Sequence, residues 1–151
     1  MSNDIVPRIV SRPAHIPIGL ELARSARVVR RAFDETLAAA GGSLPAWLVL
    51  LNLKIGVNAT QRELADSVGV TEATLTHHLN AMEAGGLLTR RRDPDNRRVH
   101  VVEPTAAGEE LFLRLRDAAL AFDRRLRRGI PADRLAELES LLGQLVANVG
   151  G

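Results

Sequence analysis

The sequence predicts a mainly α-helical fold that carries one small antiparallel β-hairpin. Three observations predict it. Apolar residues recur at spacings of three and four through most of the chain, the period of a helix that buries one stripe. Near residues 87–103 that period gives way to two short strand-like runs around Asp93-Pro94-Asp95-Asn96, a strong turn signal. Just before them, TQRELADSVGVTEATLTHHLNAMEAGGLL reads as a short helix, a glycine turn and a second helix.

Length and composition narrow the classes. A chain of 151 residues fits one domain, or one domain with a dimerisation appendage. At 46% hydrophobic and 25% charged it is globular. The net charge of +2 is too small to announce a nucleic-acid partner by itself. Its distribution says more: Arg90 to Arg98 holds five arginines against two aspartates. With no cysteine, disulfides, thiolate metal sites and thiol redox sensing are excluded. The N-terminus lacks the apolar core of a signal peptide, and the longest apolar run, Ala46–Leu51, is far too short to cross a bilayer. A cytoplasmic location with no membrane partner is expected.

The elements follow in order. Residues 1–17 contain three prolines and read as an irregular arm. A helix is expected over 18–40, with Ile18, Leu22, Ala26, Val29, Phe33 and Leu37 on one stripe; Gly41-Gly42 stops it. Ser43 caps a second, mostly apolar helix near 44–54, with Pro45 tolerated in its first turn. Thr60 and Glu63 fit a capping box that opens a third helix, and Gly69 supplies the left-handed turn that closes it. Thr71 caps a fourth helix over 72–84, whose Leu75, Leu79 and Met82 face inward. Strands follow at 87–92 and 97–103. Pro104 ends the second strand and Thr105 caps a helix over 106–128. Gly129 and Pro131 break the chain before a last helix at 132–148. Residues 18–42 and 106–149 carry apolar faces larger than a helix-turn-helix and hairpin could cover. They are read as a helical dimerisation region that packs against a second copy of the chain. Residues 43–105 form the winged helix-turn-helix lobe.

Several side chains fit nucleic-acid recognition. Thr74, Thr76, His77 and Asn80 lie opposite or beside the apolar stripe of the fourth helix, where hydroxyls and amides can reach base edges or phosphates. Thr71 starts that helix. Alternation along the first strand sends Arg90 and Arg92 to one face and Arg91 to the other. Arg97 sits at the hairpin tip and Arg98 beside it. Asp95 can hold the Arg97 guanidinium for minor-groove insertion, or the pair is a surface salt bridge that only shapes the turn. His77 and His78 are adjacent, so about 100° of helix rotation separates them and they share no face as a metal pair would. No metal or cofactor is expected. Trp47, the only tryptophan, is either a core residue or one wall of a ligand pocket with Ile18, Leu22, Phe33 and Leu50. Arg27 either pairs with an anionic ligand or is an interface or solvated cation. No Gly-rich phosphate loop, supported Ser-His-Asp arrangement or metal-ligand spacing is present, so no enzyme is expected.

With these residues read, the chain resembles the MarR family of winged helix-turn-helix regulators from about Ile18 to Val149. Three stretches carry the resemblance. They are IGLELARSARVVRRAFDETL leading to LPAWLVL, the helix and exit ATLTHHLNAMEAGGLL, and the hairpin RRRDPDNRRVHVVEPTAAG with Asp95-x-Arg97, Pro104-Thr105 and Gly108. Two residues depart from the family pattern: His77 stands where a basic residue is common, and Pro104 where leucine is. The resemblance implies a homodimer on double-stranded DNA with a pseudo-palindromic operator. It also implies a response to a small aromatic, phenolic or lipophilic effector, and repression of nearby genes. The alternative reading is a winged-helix protein-interaction module without sequence-specific DNA binding.

Overall fold

The structure, a computed structural model, describes residues 16–55, 61–96 and 100–150. Among these residues the elements run α1 (Ile18–Ala39), α2 (Leu44–Ile55), α3 (Gln61–Val68), α4 (Glu72–Ala84), β1 (Leu88–Arg92), β2 (His100–Pro104), α5 (Ala106–Leu126) and α6 (Ala132–Asn148). The chain divides into two units between Ala32 and Phe33. In the first, α1 exposes Ile18, Leu20, Leu22, Val28 and Val29. The second holds the remaining elements and the core.

That core draws on the end of α1 and on one face each of α2, α3, α4, β1 and α5. Leu37, Val49, Leu50, Leu75, Leu79, Leu88 and Leu115 are fully buried. Each large aliphatic side chain so buried contributes about 1.5–3 kcal/mol relative to exposure. In α3 the buried residues are Leu64, Ala65 and Val68, and in α4 they are Leu75, Leu79 and Met82. These are the i, i+1, i+4 positions of α3 and the i, i+4, i+7 positions of α4, in each case one helix face. Gly69 turns the chain between the two helices at φ +75°, a left-handed conformation that glycine adopts without a Cβ clash. The Val70 amide then donates to the Ala65 carbonyl (3.0 Å), closing the end of α3.

The hairpin pairs Leu88 with Pro104, Thr89 with Glu103, Arg90 with Val102, Arg91 with Val101 and Arg92 with His100. Pro104 therefore belongs to the strand that the sequence expects it to end. At the last position of a strand its missing N–H is tolerated. Three bonds fasten the base of the hairpin to α5. The Thr105 hydroxyl donates to the Gly86 carbonyl (2.6 Å), the Thr105 amide donates to the Leu87 carbonyl (3.0 Å), and the Gly108 amide donates to the Thr105 hydroxyl (3.1 Å). Gly108 is needed there for space. A Cβ at this position would lie 1.9 Å from the Leu87 carbonyl oxygen, which belongs to the backbone and cannot swing away.

α6 contrasts with the core helices, because none of its residues is buried. Leu138, Leu141, Leu142, Val146 and Val149 are exposed, as are Leu113, Leu120 and Leu126 of α5. Thr60, expected in the capping box of α3, lies outside the described residues, as do Arg97 and Arg98.

Candidate nucleic-acid interface

The exposed side of α4 is set by its buried side. With Leu75, Leu79 and Met82 inward, about 100° per residue carries Ala73, Thr74, His77, Asn80 and Ala81 outward, with His77 near the centre. All five are exposed, whereas Thr76 and His78 are half-buried at the flanks. The helix start is fixed by Thr71. Its hydroxyl oxygen accepts from the Thr74 amide (3.2 Å) and its hydroxyl donates to Thr74 Oγ1 (2.9 Å). The Thr74 hydroxyl proton is not used in that pair. Thr76 is held differently: its hydroxyl donates to the Glu72 carbonyl (2.9 Å) and accepts from the Gln61 side-chain amide. It therefore ties α4 to the first residue of α3. Sequence reading passed over Gln61, whose only signal is its position at a helix start facing the next helix.

The strand arginines divide as alternation requires. Arg91 lies against Glu103 on one face, with Nη2 3.3 Å from Oε1. Its hydrogen bonds to the Glu103 carboxylate, which accepts them, and the charge of that carboxylate raise the Arg91 pKa further, so this cation stays charged throughout the accessible range. Arg90 lies on the other face, toward α4. Its Nε and Nη2 donate to Glu83 Oε2 (2.9 and 2.6 Å), its amide donates to Glu83 Oε1 (3.3 Å), and Nη2 also donates to Asn80 Oδ1 (2.5 Å). The sequence gives Arg90 an outward role on DNA, yet the structure finds its guanidinium engaged within the protomer and only 21% exposed. Glu83 is the residue sequence reading missed. It stands three positions beyond Asn80, on the same helix face, with the arginine seven positions further on across the Gly85-Gly86 turn. Arg92, at the end of β1 beside the hairpin turn, is exposed. Within the turn the Asp95 amide donates to the Asp93 carboxylate (2.8 Å), an Asx turn that shapes the approach to the tip. The Arg97 partner expected for Asp95 lies outside the described residues.

The six residues expected to line an effector pocket divide between the two units. Ile18, Leu22 and Arg27 are exposed on α1 in the first. In the second, Leu50 is fully buried, Trp47 stacks on Phe112 (ring centroids 5.5 Å apart, planes at 13°), and Phe33 packs on Phe122 at 5.0 Å. Trp47 and Phe33 thus meet core aromatics. A cleft of about 320 Å³ is instead lined by Gly41, Gly42, Ser43, Ala46, His78, Ala81, Met82, Leu87 and Leu111, none of them among the six. His77 and His78 have ring centroids 6.1 Å apart, tilted by 59°, and only His78 faces this cleft.

A capped helix with an outward polar strip, set behind a shorter helix and beside an arginine-bearing hairpin, defines a winged helix-turn-helix transcriptional regulator. The chain belongs to the MarR family. The family model matches residues 43–100, from α2 through β1 to the first residue of β2. The solved structure of transcriptional regulator PA3341 is 32% identical, with 88% of this chain and 98% of that one covered at a TM-score of 0.72. The transcriptional repressor CouR bound to a 23-mer DNA duplex is 27% identical, covering 86% and 92% at a TM-score of 0.76. CouR from Rhodococcus jostii RHA1 bound to p-coumaroyl-CoA is 24% identical and shares the fold, covering 85% and 90% at a TM-score of 0.71.

Proposed function

We propose that this protein is a homodimeric transcriptional regulator, a repressor of nearby genes, that binds a pseudo-palindromic operator and is released by a small aromatic or phenolic ligand. The observation that carries the reading is the exposed polar strip of α4 placed beside the basic strand β1. In this reading α4 enters a major groove, where Thr74, His77 and Asn80 meet base edges. The hairpin follows the neighbouring minor groove, with Arg92 on phosphates and Arg97, supported by Asp95 and flanked by Arg98, at its tip. Thr71 and Thr76 serve by holding the helix. The DNA duplex seen with CouR, at 27% identity, supports the partner.

Dimerisation is supported by the exposed leucines and valines of α1, α5 and α6, which a second copy would cover. Two-fold symmetry then spaces the recognition helices about one DNA turn, roughly 34–36 Å, which demands a near-palindromic site. An effector acts only by binding the DNA-competent and DNA-incompetent arrangements with different affinity. The p-coumaroyl-CoA complex belongs to a neighbour whose likeness is one of fold, so the effector here rests on the family resemblance. Among the described residues no single helix is long and apolar enough to cross a membrane, and the reading places the protein with its DNA in the cytoplasm, without catalysis.

Fluorescence anisotropy of the protein on the DNA upstream of its own gene, across a salt series, tests the reading. The expected result is tight binding to one palindrome that weakens steeply with salt and exceeds random DNA by orders of magnitude. Binding no better than to random DNA, with little salt dependence, would favour a protein-interaction role.

A further inference from the structure

The proposal concerns Arg90 and rests on the DNA-binding reading above. Arg91 lies against Glu103 on the opposite face of β1 and Arg92 is exposed at the strand end, but Arg90 reaches back across the Gly85-Gly86 turn to two residues of α4. Its charge is already balanced by Glu83, with contacts of 2.6 and 2.9 Å to one carboxylate oxygen and a backbone contact of 3.3 Å to the other. A cation so compensated neutralises phosphate charge poorly, so it would release few counterions from DNA. The same guanidinium donates to the side-chain oxygen of Asn80, an exposed residue of the polar strip. An unrestrained asparagine amide can present either its oxygen or its nitrogen to a base. Here the oxygen is drawn toward Arg90, which leaves the –NH2 group as the outward end.

We propose that Arg90, braced by Glu83, is a positioning residue for sequence discrimination. It fixes the Asn80 amide nitrogen-outward, as a donor to an acceptor-bearing base edge in the major groove, and ties the hairpin to the recognition helix at the same point. Arg90 does not act as a phosphate contact. A rigid fork is required for this, because one planar group must reach a carboxylate and an amide oxygen together; a lysine ammonium on a flexible stem matches the charge but not the fork.

The test is selection of binding sites from a randomised duplex library, followed by anisotropy salt series on the selected site. Asn80→Ala identifies the base position that Asn80 reads, as the one position per half-site that relaxes. Arg90→Lys is expected to reduce discrimination at that same position by about tenfold, within the range of one good base contact, and to leave preferences elsewhere intact. Asn80→Asp keeps an acceptor for Arg90 but removes the donor, so the wild-type preference there should vanish. The charge-conserving double variant Arg90→Met with Glu83→Gln should keep the wild-type salt slope while losing discrimination at that position. Thermal melts check that each variant folds, and Arg90→Lys carries the test if the double variant does not. A salt slope lowered by about one with base preferences unchanged would make Arg90 a phosphate contact and overturn the proposal. So would an Asn80→Asp variant that retains the wild-type preference, or an Asn80→Ala variant that relaxes no position although the wild type selects a palindrome. If the wild type selects no sequence at all, the functional reading falls and the proposal falls with it.

Discussion

Arg92 and Gly108 show two ways in which one side chain, or its absence, matters. Arg92 is exposed at the end of β1, beside the acidic turn, where in the proposed complex it would meet a phosphate directly. Arg92→Ala is expected to weaken DNA binding about equally for all sequences and to lower the salt slope by about one. Anisotropy at several salt concentrations reads both; an unchanged slope would remove Arg92 from the interface. Gly108 acts through space. A methyl group there would meet the Leu87 carbonyl oxygen at 1.9 Å, so the start of α5 or the base of β1 must move. Gly108→Ala should cost about 1–3 kcal/mol or more, the range for overpacking a close contact. Chemical denaturation would show it, and a wild-type midpoint would mean that the joint between hairpin and α5 is looser than these contacts indicate. The motif glycine in the sequence thus has a steric reason that only the neighbouring backbone reveals.

Among the elements, α4 depends on its ends as well as its buried stripe. Its first turn is closed by the Thr71 hydroxyl at 3.2 Å from the Thr74 amide, and the Gly85 amide donates to the Ala81 carbonyl (2.9 Å) at the other end. Thr71→Ala should destabilise the protein by about 1 kcal/mol, the usual value of a hydroxyl cap, and should loosen the turn that presents Thr74. Urea denaturation measures the first effect and operator affinity the second. Full stability with full affinity would show that packing alone holds the helix start. The bounds of α4 were legible in the sequence because a capping threonine and Gly85-Gly86 mark them, and the start of α6 because Gly129 and Pro131 break the chain before it. The extent of β2 was not, because cross-strand pairing decides whether Pro104 belongs to the strand, and Leu88 supplies that partner.

At the scale of the whole molecule, the uncovered face of α6 is the main feature the protomer leaves unexplained. A helix with four exposed large aliphatic residues, and a fifth at its C-cap, is poorly accounted for in an isolated chain. Removal of the residues after Gly129 should therefore yield monomers or aggregates in light scattering, with loss of operator binding. A stable, DNA-binding truncated dimer would contradict the dimerisation reading. The effector residues illustrate a limit of apolar patterning. Trp47, Phe33 and Leu50 are large apolar side chains near the expected junction, and that property equally suits a core. The structure puts Trp47 on Phe112, Phe33 on Phe122, and Leu50 out of solvent. Periodicity cannot distinguish a residue that packs on an aromatic ring from one that faces a cavity.

The sequence by itself determined what local chemistry determines: the period of each helix, the capping threonines, the left-handed glycines, the acidic turn between two strands, and the family they spell out. The tertiary structure decided which polar groups are already satisfied. Arg90 and Thr76 look alike in the sequence to residues free to meet DNA. Their partners Glu83 and Gln61 become partners only when α3, α4 and β1 are brought to bonding distance. Hydrogen bonding depends on distance and direction in space, and spacing along the chain fixes those only within a single helix or strand.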